Sequence, residues 1–303
     1  MTGEMRRASM KICGITTKGK TLITAASLAI AGIAFALPSP QPVAAAPNHA
    51  RLAAVYSIHF AGIKLGKFEI WSNVSADSYS LRGKGRLKFI TGMLFEIKGG
   101  TTSAGAVTAN GPKPASFAFN FKTKKRKGEL AMMFENDAVS YVKARPPFSD
   151  SPKMIPVTAA HVKGVLDPLS ALFFTAKTKK LNEDGSVCPG RIPVFDGKQR
   201  FDLLLSHKKT VTVKKKRRKG GYNGTAVVCR IKYVPIAGYK PDNSGIQFMS
   251  ATNDIEVWLI QVPKNGMYVP YHVTIPTPYG TASATSTAFQ IEIPGQEKIA
   301  FIR

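Results

Sequence analysis

The sequence predicts a mainly β protein: a curved antiparallel sheet or half-open β-barrel with one or two short helices capping it. Three observations carry this expectation. Apolar and polar residues alternate at period two through nearly every segment after residue 51. Turns rich in Gly, Asn, Asp and Lys separate those segments. Helical spacing is confined to one stretch, residues 157 to 177, so no long strands alternate with long helices and a βαβ architecture is not supported.

The elements follow in order. AVYSIHFAGIKLGKFEIWSNV, residues 54 to 74, alternates around a Gly-rich bend, with Val55, Phe60, Ile63, Leu65, Phe68 and Ile70 as its apolar positions. DSYSLRGKGRLKF and LFEIKGGTTSAGAV continue the pattern. In SFAFNF, residues 116 to 121, Phe117, Phe119 and Phe121 fall on one face of a half-buried strand. KTKKRKG then links FAFNF to ELAMMF, so Lys122, Lys124, Lys125, Arg126 and Lys127 sit at a hairpin tip.

The middle differs. Asp167 followed by Pro168 is a helix start, with Asp as N-cap and Pro in the first helical position. Leu169, Leu172 and Phe173 recur at helical spacing, which predicts a helix over Pro168 to Ala176. A short helix or a turn is expected before Gly164. The strands then return: RIPVFDGKQRFDLLLSHKKTVTV, GTAVVCRIKYVPI, FMSATNDIEVWLIQV and MYVPYHVTIPTPYGTASATSTAFQIEI. Residues 192 to 203, with Asp196, Lys198, Arg200 and Asp202, read as a charge ladder around a D-G turn, the alternative being a polar site. DIEVWLIQV has apolar groups on both faces, including Trp258, which suits a strand buried on both sides or one that lines a cavity.

Lys214, Lys215, Lys216, Arg217, Arg218 and Lys219 form an unbroken basic run that resembles a nucleic-acid patch. Its setting argues otherwise. TVTV alternates before it, AVVCRIKY alternates after it, and Gly-Gly and Asn-Gly turn formers lie between. The run reads as a second cationic hairpin tip. Both tips are either solvated loops or contacts for an anionic surface.

Charge and export belong together. The chain has 303 residues and a formal net charge of +25. Arg6, Arg7, Lys11, Lys18 and Lys20 precede the apolar run TLITAASLAIAGIAFAL, and PSPQPVAAAP follows it. This is the layout of a secretory signal, with cleavage expected before Ala46. The other reading is an anchor, since about 17 apolar residues lie at the lower limit for a span. The expected organisation is a signal peptide over residues 1 to 45 and a single β-rich domain over residues 46 to 303. Without the signal, 38 basic residues still face 17 acidic ones. An exported, periplasmic protein with that surplus points to anionic envelope lipid or polymer as a partner, and not to nucleic acid. Only Cys188 and Cys229 follow the signal, and in an oxidising compartment they read as one disulfide, free thiols being the alternative.

Catalytic constellations are absent from the sequence. None of His49, His59, His161, His207 and His272 stands in H-E-x-x-H, and there is no G-x-S-x-G or P-loop. Asp196, Asp202 and Asp254 are isolated carboxylates. No metal and no cofactor is expected, and an enzyme, such as an envelope hydrolase, is the weaker class. The concave face of a half-barrel could hold a lipid or another apolar ligand. Phe117, Phe119, Phe121, Leu172, Phe173 and Trp258 are the candidates to line that groove; they serve equally as ordinary core.

HVKGVLDPLSALFF, CPGRIPVFDGKQRFDL, GYNGTAVVCRIKYVPIAGYKP and NDIEVWL with VPYHVTIPTPYGTA resemble, in order and spacing, the exported bacterial family called domain of unknown function 3108. The resemblance covers most of residues 54 to 290. It implies an exported, mainly β protein and carries no catalytic residues with it. The lysine-rich hairpin tips depart from the family pattern.

Overall fold

A computed structural model describes residues 49–91, 93–149, 151–172, 187–188, 190–214, 222–261, 268–296 and 298–302. The expected signal segment, the cleavage point before Ala46, Phe173 and Lys215 to Lys219 lie outside the described residues.

Two antiparallel meanders make up the protein. The first runs β1 (Ala50–Phe60), β2 (Ile63–Val74), β3 (Ser78–Thr91), β4 (Met93–Thr108), β5 (Gly111–Lys122), β6 (Lys127–Glu135) and β7 (Ala138–Arg145). The second runs β8 (Gly190–Phe195), β9 (Arg200–Val213), β10 (Gly224–Ala237), β11 (Ile255–Gln261), β12 (Tyr268–Thr277) and β13 (Gly280–Glu292). Pairing of β1 with β13 joins them into one sheet, and β14 (Ile299–Ile302) adds to β13. Tight turns set the register. Ala61 and Gly62 both have positive φ, as do Asn136 and Asp137, which gives two-residue loops matched to the twist of the strands.

The sheet is not closed into a barrel: β7 and β8 are its edges and do not pair. A strap between them touches both. Gly164 donates its N–H to Asp137 O (2.7 Å) beside β7. Leu166 donates to Pro193 O (2.8 Å) and accepts from Phe195 N (2.9 Å) on β8. Two intervening steps of chain span at most about 7 Å, so the strap holds the edges near each other and shields their unpaired groups.

The strap carries 3-10 turns at Ala159–Val162 and Ser170–Leu172, and the latter is the described part of the helix expected over Pro168 to Ala176, whose remainder lies outside the described residues. Among the described residues an α-helix that the spacing did not predict lies at α1 (Ser244–Ala251), where the sequence reads as leading into a strand. Its start is readable in retrospect, because the Asn243 side chain accepts from Ile246 N as an N-cap.

Three clusters fill the interior. Val227, Cys229, Val257 and Leu259 centre the first, between β8–β12 and the strap. Ala54, Ile260, Val269 and Phe289 centre the second. Tyr79, Leu81, Phe117, Met132 and Leu169 centre the third. The expected disulfide is present: Cys188 bonds Cys229, with Cα atoms 5.8 Å apart and a sequence separation of 41. It ties the approach to β8 onto the buried middle of β10.

Replacing both cysteines by alanine is expected to lower stability by about 4 kcal/mol, from the entropy the cross-link removes from the unfolded chain. Urea unfolding of the oxidised protein and of the double variant measures this. An unchanged midpoint would show that the cross-link does not restrict the unfolded chain.

Candidate apolar ligand site

The sheet forks, and the fork makes a pocket. β12 pairs with β13 from Thr277–Gly280 only as far as His272–Thr285. Beyond that point β13 pairs with β14 over Ala288–Ile291, while Tyr268 to Tyr271 pair with no residue of β13. Register shifts at Trp258/Leu259 and Val55/Tyr56 fall at the same level of the sheet. Such shifts bend a strand and increase its twist, which lets β12 peel away. The Tyr56 hydroxyl spans the gap and donates to Pro270 O at 2.6 Å.

A cavity of about 240 Å³ lies in this fork. One side is β12, through Tyr268, Val269, Pro270 and Val273. The opposite side is Leu52, Tyr56 and Ile58 of β1 with Phe68 and Ile70 of β2. Leu169 and Leu172 of the strap cover the end beside Leu81, and Leu172 is 43% exposed at the rim. Phe68 owes its place to missing side chains on β3. A Cβ on Gly83 would lie 2.5 Å from the Phe68 ring and one on Gly85 would lie 3.0 Å from it. The two glycines of LRGKGRL therefore form the seat of this aromatic wall.

Polar groups here are few. Tyr56 is engaged with Pro270, and burial pushes its phenol well above the usual range. Ser72 contributes one hydroxyl to the wall. Tyr268 is buried to 1% exposure, and among the described residues its hydroxyl has no hydrogen-bond partner.

A buried knot holds the strap against the pocket. Asp167, at 0% exposure, accepts from Leu169 N (2.9 Å) and Ser170 N (3.0 Å) through Oδ1. Its Oδ2 accepts from the hydroxyls of Ser103 (2.9 Å) and Ser170 (2.5 Å). Tyr79 OH and Ser170 Oγ lie 2.8 Å apart. Desolvation raises the Asp167 pKa, with these hydrogen bonds opposing. Serine, aspartate and tyrosine meet here, but their polar atoms face one another in the interior, so the group anchors the strap rather than confronting a substrate.

The residues singled out from sequence divide sharply. Leu172 lines the pocket. Phe117 is core, packed with Met132 and Leu81. Phe119 is 41% exposed, since the strands beyond it offer no cover. Phe121 lies over Gly128, whose Cβ would come within 2.2 Å of its ring. These placements share one cause: the three phenylalanines do line one face, but only its Phe117 end is covered. Trp258 is on the opposite face from the pocket, edge-on to His272 at 5.3 Å, because it pairs in the row Trp258–His272–Thr285. Lys122, Lys124, Lys125, Arg126 and Lys127 are exposed on the β5–β6 turn, where the Thr123 hydroxyl accepts from Lys125 N and Arg126 N. Lys214 is exposed at the end of β9.

Among the carboxylates, Asp196 closes its own turn by accepting from Lys198 N and Gln199 N. Asp202 pairs with Arg191 and Arg200, each at 2.7 Å. Among the described residues no group of three or more His, Cys, Asp or Glu could hold a metal ion. The pocket residues not singled out, Leu52, Tyr56 and Tyr268 above all, had one legible signal: Leu52, Ala54, Tyr56 and Ile58 alternate along β1.

The chain belongs to the family described as Protein of unknown function (DUF3108), which matches residues 55–287. No curated protein matches it. Among solved structures it is similar to the beta-barrel-like protein of domain of unknown function DUF1849 from Brucella abortus. Identity is 13%, coverage is 82% of this chain and 98% of that one, and the TM-score is 0.47.

The raised pKa of Asp167 gives a pH test. The folded state holds this proton more tightly than the unfolded chain does. That contribution is fully present below the ordinary carboxylate pKa of about 3.9 and is lost as pH rises through the raised value. In Asp167→Asn this part of the pH slope should vanish, and in Asp167→Ala about 3 kcal/mol should be lost with the caps. Urea midpoints across acidic to neutral pH check both; a slope in the asparagine variant equal to that of the wild type would assign it to another group.

Proposed function

We propose that this protein is a non-enzymatic, exported binding protein of the bacterial envelope that holds the apolar end of a lipid-like ligand in the forked pocket. One observation carries the reading: a cavity walled almost wholly by aliphatic and aromatic side chains lies at the parting of two strands. An apolar cavity of about 150 Å³ holds benzene, so about 240 Å³ suits a longer apolar segment and not an entire two-chain lipid. The Cys188–Cys229 disulfide is consistent with an oxidising compartment such as the periplasm. Leu172, partly exposed on the strap, stands at the rim of the pocket.

The chemistry of such binding is burial. Apolar surface leaving water supplies about 25 cal/mol per Å². The test is purification from the periplasm without detergent, followed by mass spectrometry of an organic extract, with titration of a fluorescent fatty-acid probe. Stoichiometric co-purifying lipid and saturable probe binding are expected. Ala284→Phe, which fills the pocket, should abolish probe binding in a protein that still folds by circular dichroism. A folded protein that yields no lipid and binds no probe would defeat the proposal.

A further inference from the structure

The face opposite the pocket has its own unassigned chemistry. Strand register arranges it in rows across β2, β3, β4 and β5. Trp71, Arg82, Thr102 and Ala118 stand side by side in one row. Glu69, Lys84, Gly100 and Asn120 form the next, and Lys67, Arg86, Lys98 and Lys122 the one after. Some of these cations are already neutralised: Lys67 pairs with Glu69, and Arg86 and Lys98 pair with Glu96. Arg82, Lys84 and Lys122 are exposed and have no acidic partner among the described residues. Trp71 is 40% exposed on a strand whose neighbours would permit any polar side chain.

Two depressions flank Trp71, of about 590 and 720 Å³, and both include Trp71, Arg82 and Thr102 in their walls. Together they form a trough that runs across the strands. Gly100 sits in the floor, and packing does not require a glycine there. A Cβ on it would meet nothing closer than 3.6 Å, and its φ lies outside the left-handed region. Glycine weakens a strand interior, and where no close packing calls for it, it marks a place where something else approaches the backbone. The trough also holds one acid, Glu292, which pairs with Lys298 at 3.1 Å.

We propose that this trough binds an acidic polysaccharide, with Trp71 as a stacking platform for a sugar ring and Arg82, Lys84 and Lys122 meeting its anionic groups. The indole face carries the negative part of its quadrupole, which attracts the polarised C–H face of a pyranose. Asn73, Thr102 and Asn120 offer donors and acceptors to hydroxyls. An anionic bilayer fits less well, because in the three rows that run from Trp71, Glu69 and Lys67 to β5, Trp71 is the one large apolar side chain. A trough with ring-sized recesses on both sides of one tryptophan suits a chain of rings lying along it. The site is separate from the apolar pocket and stands or falls without it.

The experiment uses the exported chain carrying Trp258→Phe, which leaves Trp71 as its only tryptophan, because the sequence has two. An oligogalacturonate is titrated by fluorescence and calorimetry, beside a neutral glucose oligomer and phosphatidylglycerol vesicles. The acidic oligomer should bind saturably, shift the Trp71 emission and weaken with salt, while the neutral oligomer should not bind. Gly100→Leu should fold with an unchanged or raised unfolding midpoint and bind at least about tenfold more weakly, as should Trp71→Ala. Wild-type affinity in both variants would reduce the interaction to diffuse charge and overturn the proposal. So would binding to vesicles but not to the oligomer. So would loss of binding on charge reversal of Lys124, Lys125 and Arg126 while Gly100→Leu binds as before.

Discussion

The carboxylate of Asp167 is where an open sheet is tied. Among the described residues, thirteen strands in meander order leave β7 and β8 as the ends of the sheet, and unpaired edges invite pairing with other chains. The strap satisfies groups on both edges, but it is a loop and has little of its own to hold it down. Asp167 provides that hold. It caps the Ser170–Leu172 turn through two backbone N–H groups and reaches into the sheet through Ser103. Burial of the carboxylate is unfavourable and raises its pKa, yet four donors surround it. Leu169 and Leu172, which cover one end of the pocket, stand within five residues of that anchor. The cavity's cover and the tether between the sheet's two edges therefore depend on one group.

The pocket itself follows from two irregularities in otherwise regular pairing. With an unbroken ladder, β12 would lie flush on β13 throughout and no space would remain between Val269 and Tyr56. The shifts at Trp258/Leu259 and Val55/Tyr56 break the ladder at one level, and β14 occupies the edge of β13 that β12 leaves. The Tyr56–Pro270 hydrogen bond then fixes the width of the gap. Phe68 fills the far wall because Gly83 and Gly85 leave it room. Each of these is a local feature, and together they give a cavity that a uniform sheet would lack.

That explains what was and was not legible beforehand. Strands, hairpin tips and the disulfide were readable, because alternation, turn residues and the isolated cysteine pair each act locally. The strap's N-cap was readable as well, in Asp167-Pro168. The pocket was not, since a bulge carries no reliable sequence mark and the fork depends on strands far apart in sequence. Phe117, Phe119 and Phe121 looked equivalent because period two reports which face a residue shares, not how far the cover extends. The same limit placed Trp258 in a groove: alternation showed apolar groups on both faces of β11 and could not say which face held the cavity. The helix at Ser244–Ala251 was missed because its eight residues are short against the apolar strand signal that follows, although Asn243 marks its start.

The two faces of β2–β5 are also mechanically linked. Leu81 is core and Arg82 is exposed; Ser103 meets Asp167 and Thr102 lines the trough; Ser72 borders the pocket and Trp71 the trough. A slip of one residue in β3 would turn Arg82 inward and Leu81 outward, since each position changes face together. Packing of Leu81 with Leu169, and the Ser103–Asp167 bond on the neighbouring strand, oppose such a slip. The outer cations are long and solvated and have no means of fixing their own alignment. Their row is held by the apolar side chains behind them, so the geometry of the charged face is set by the burial of the other.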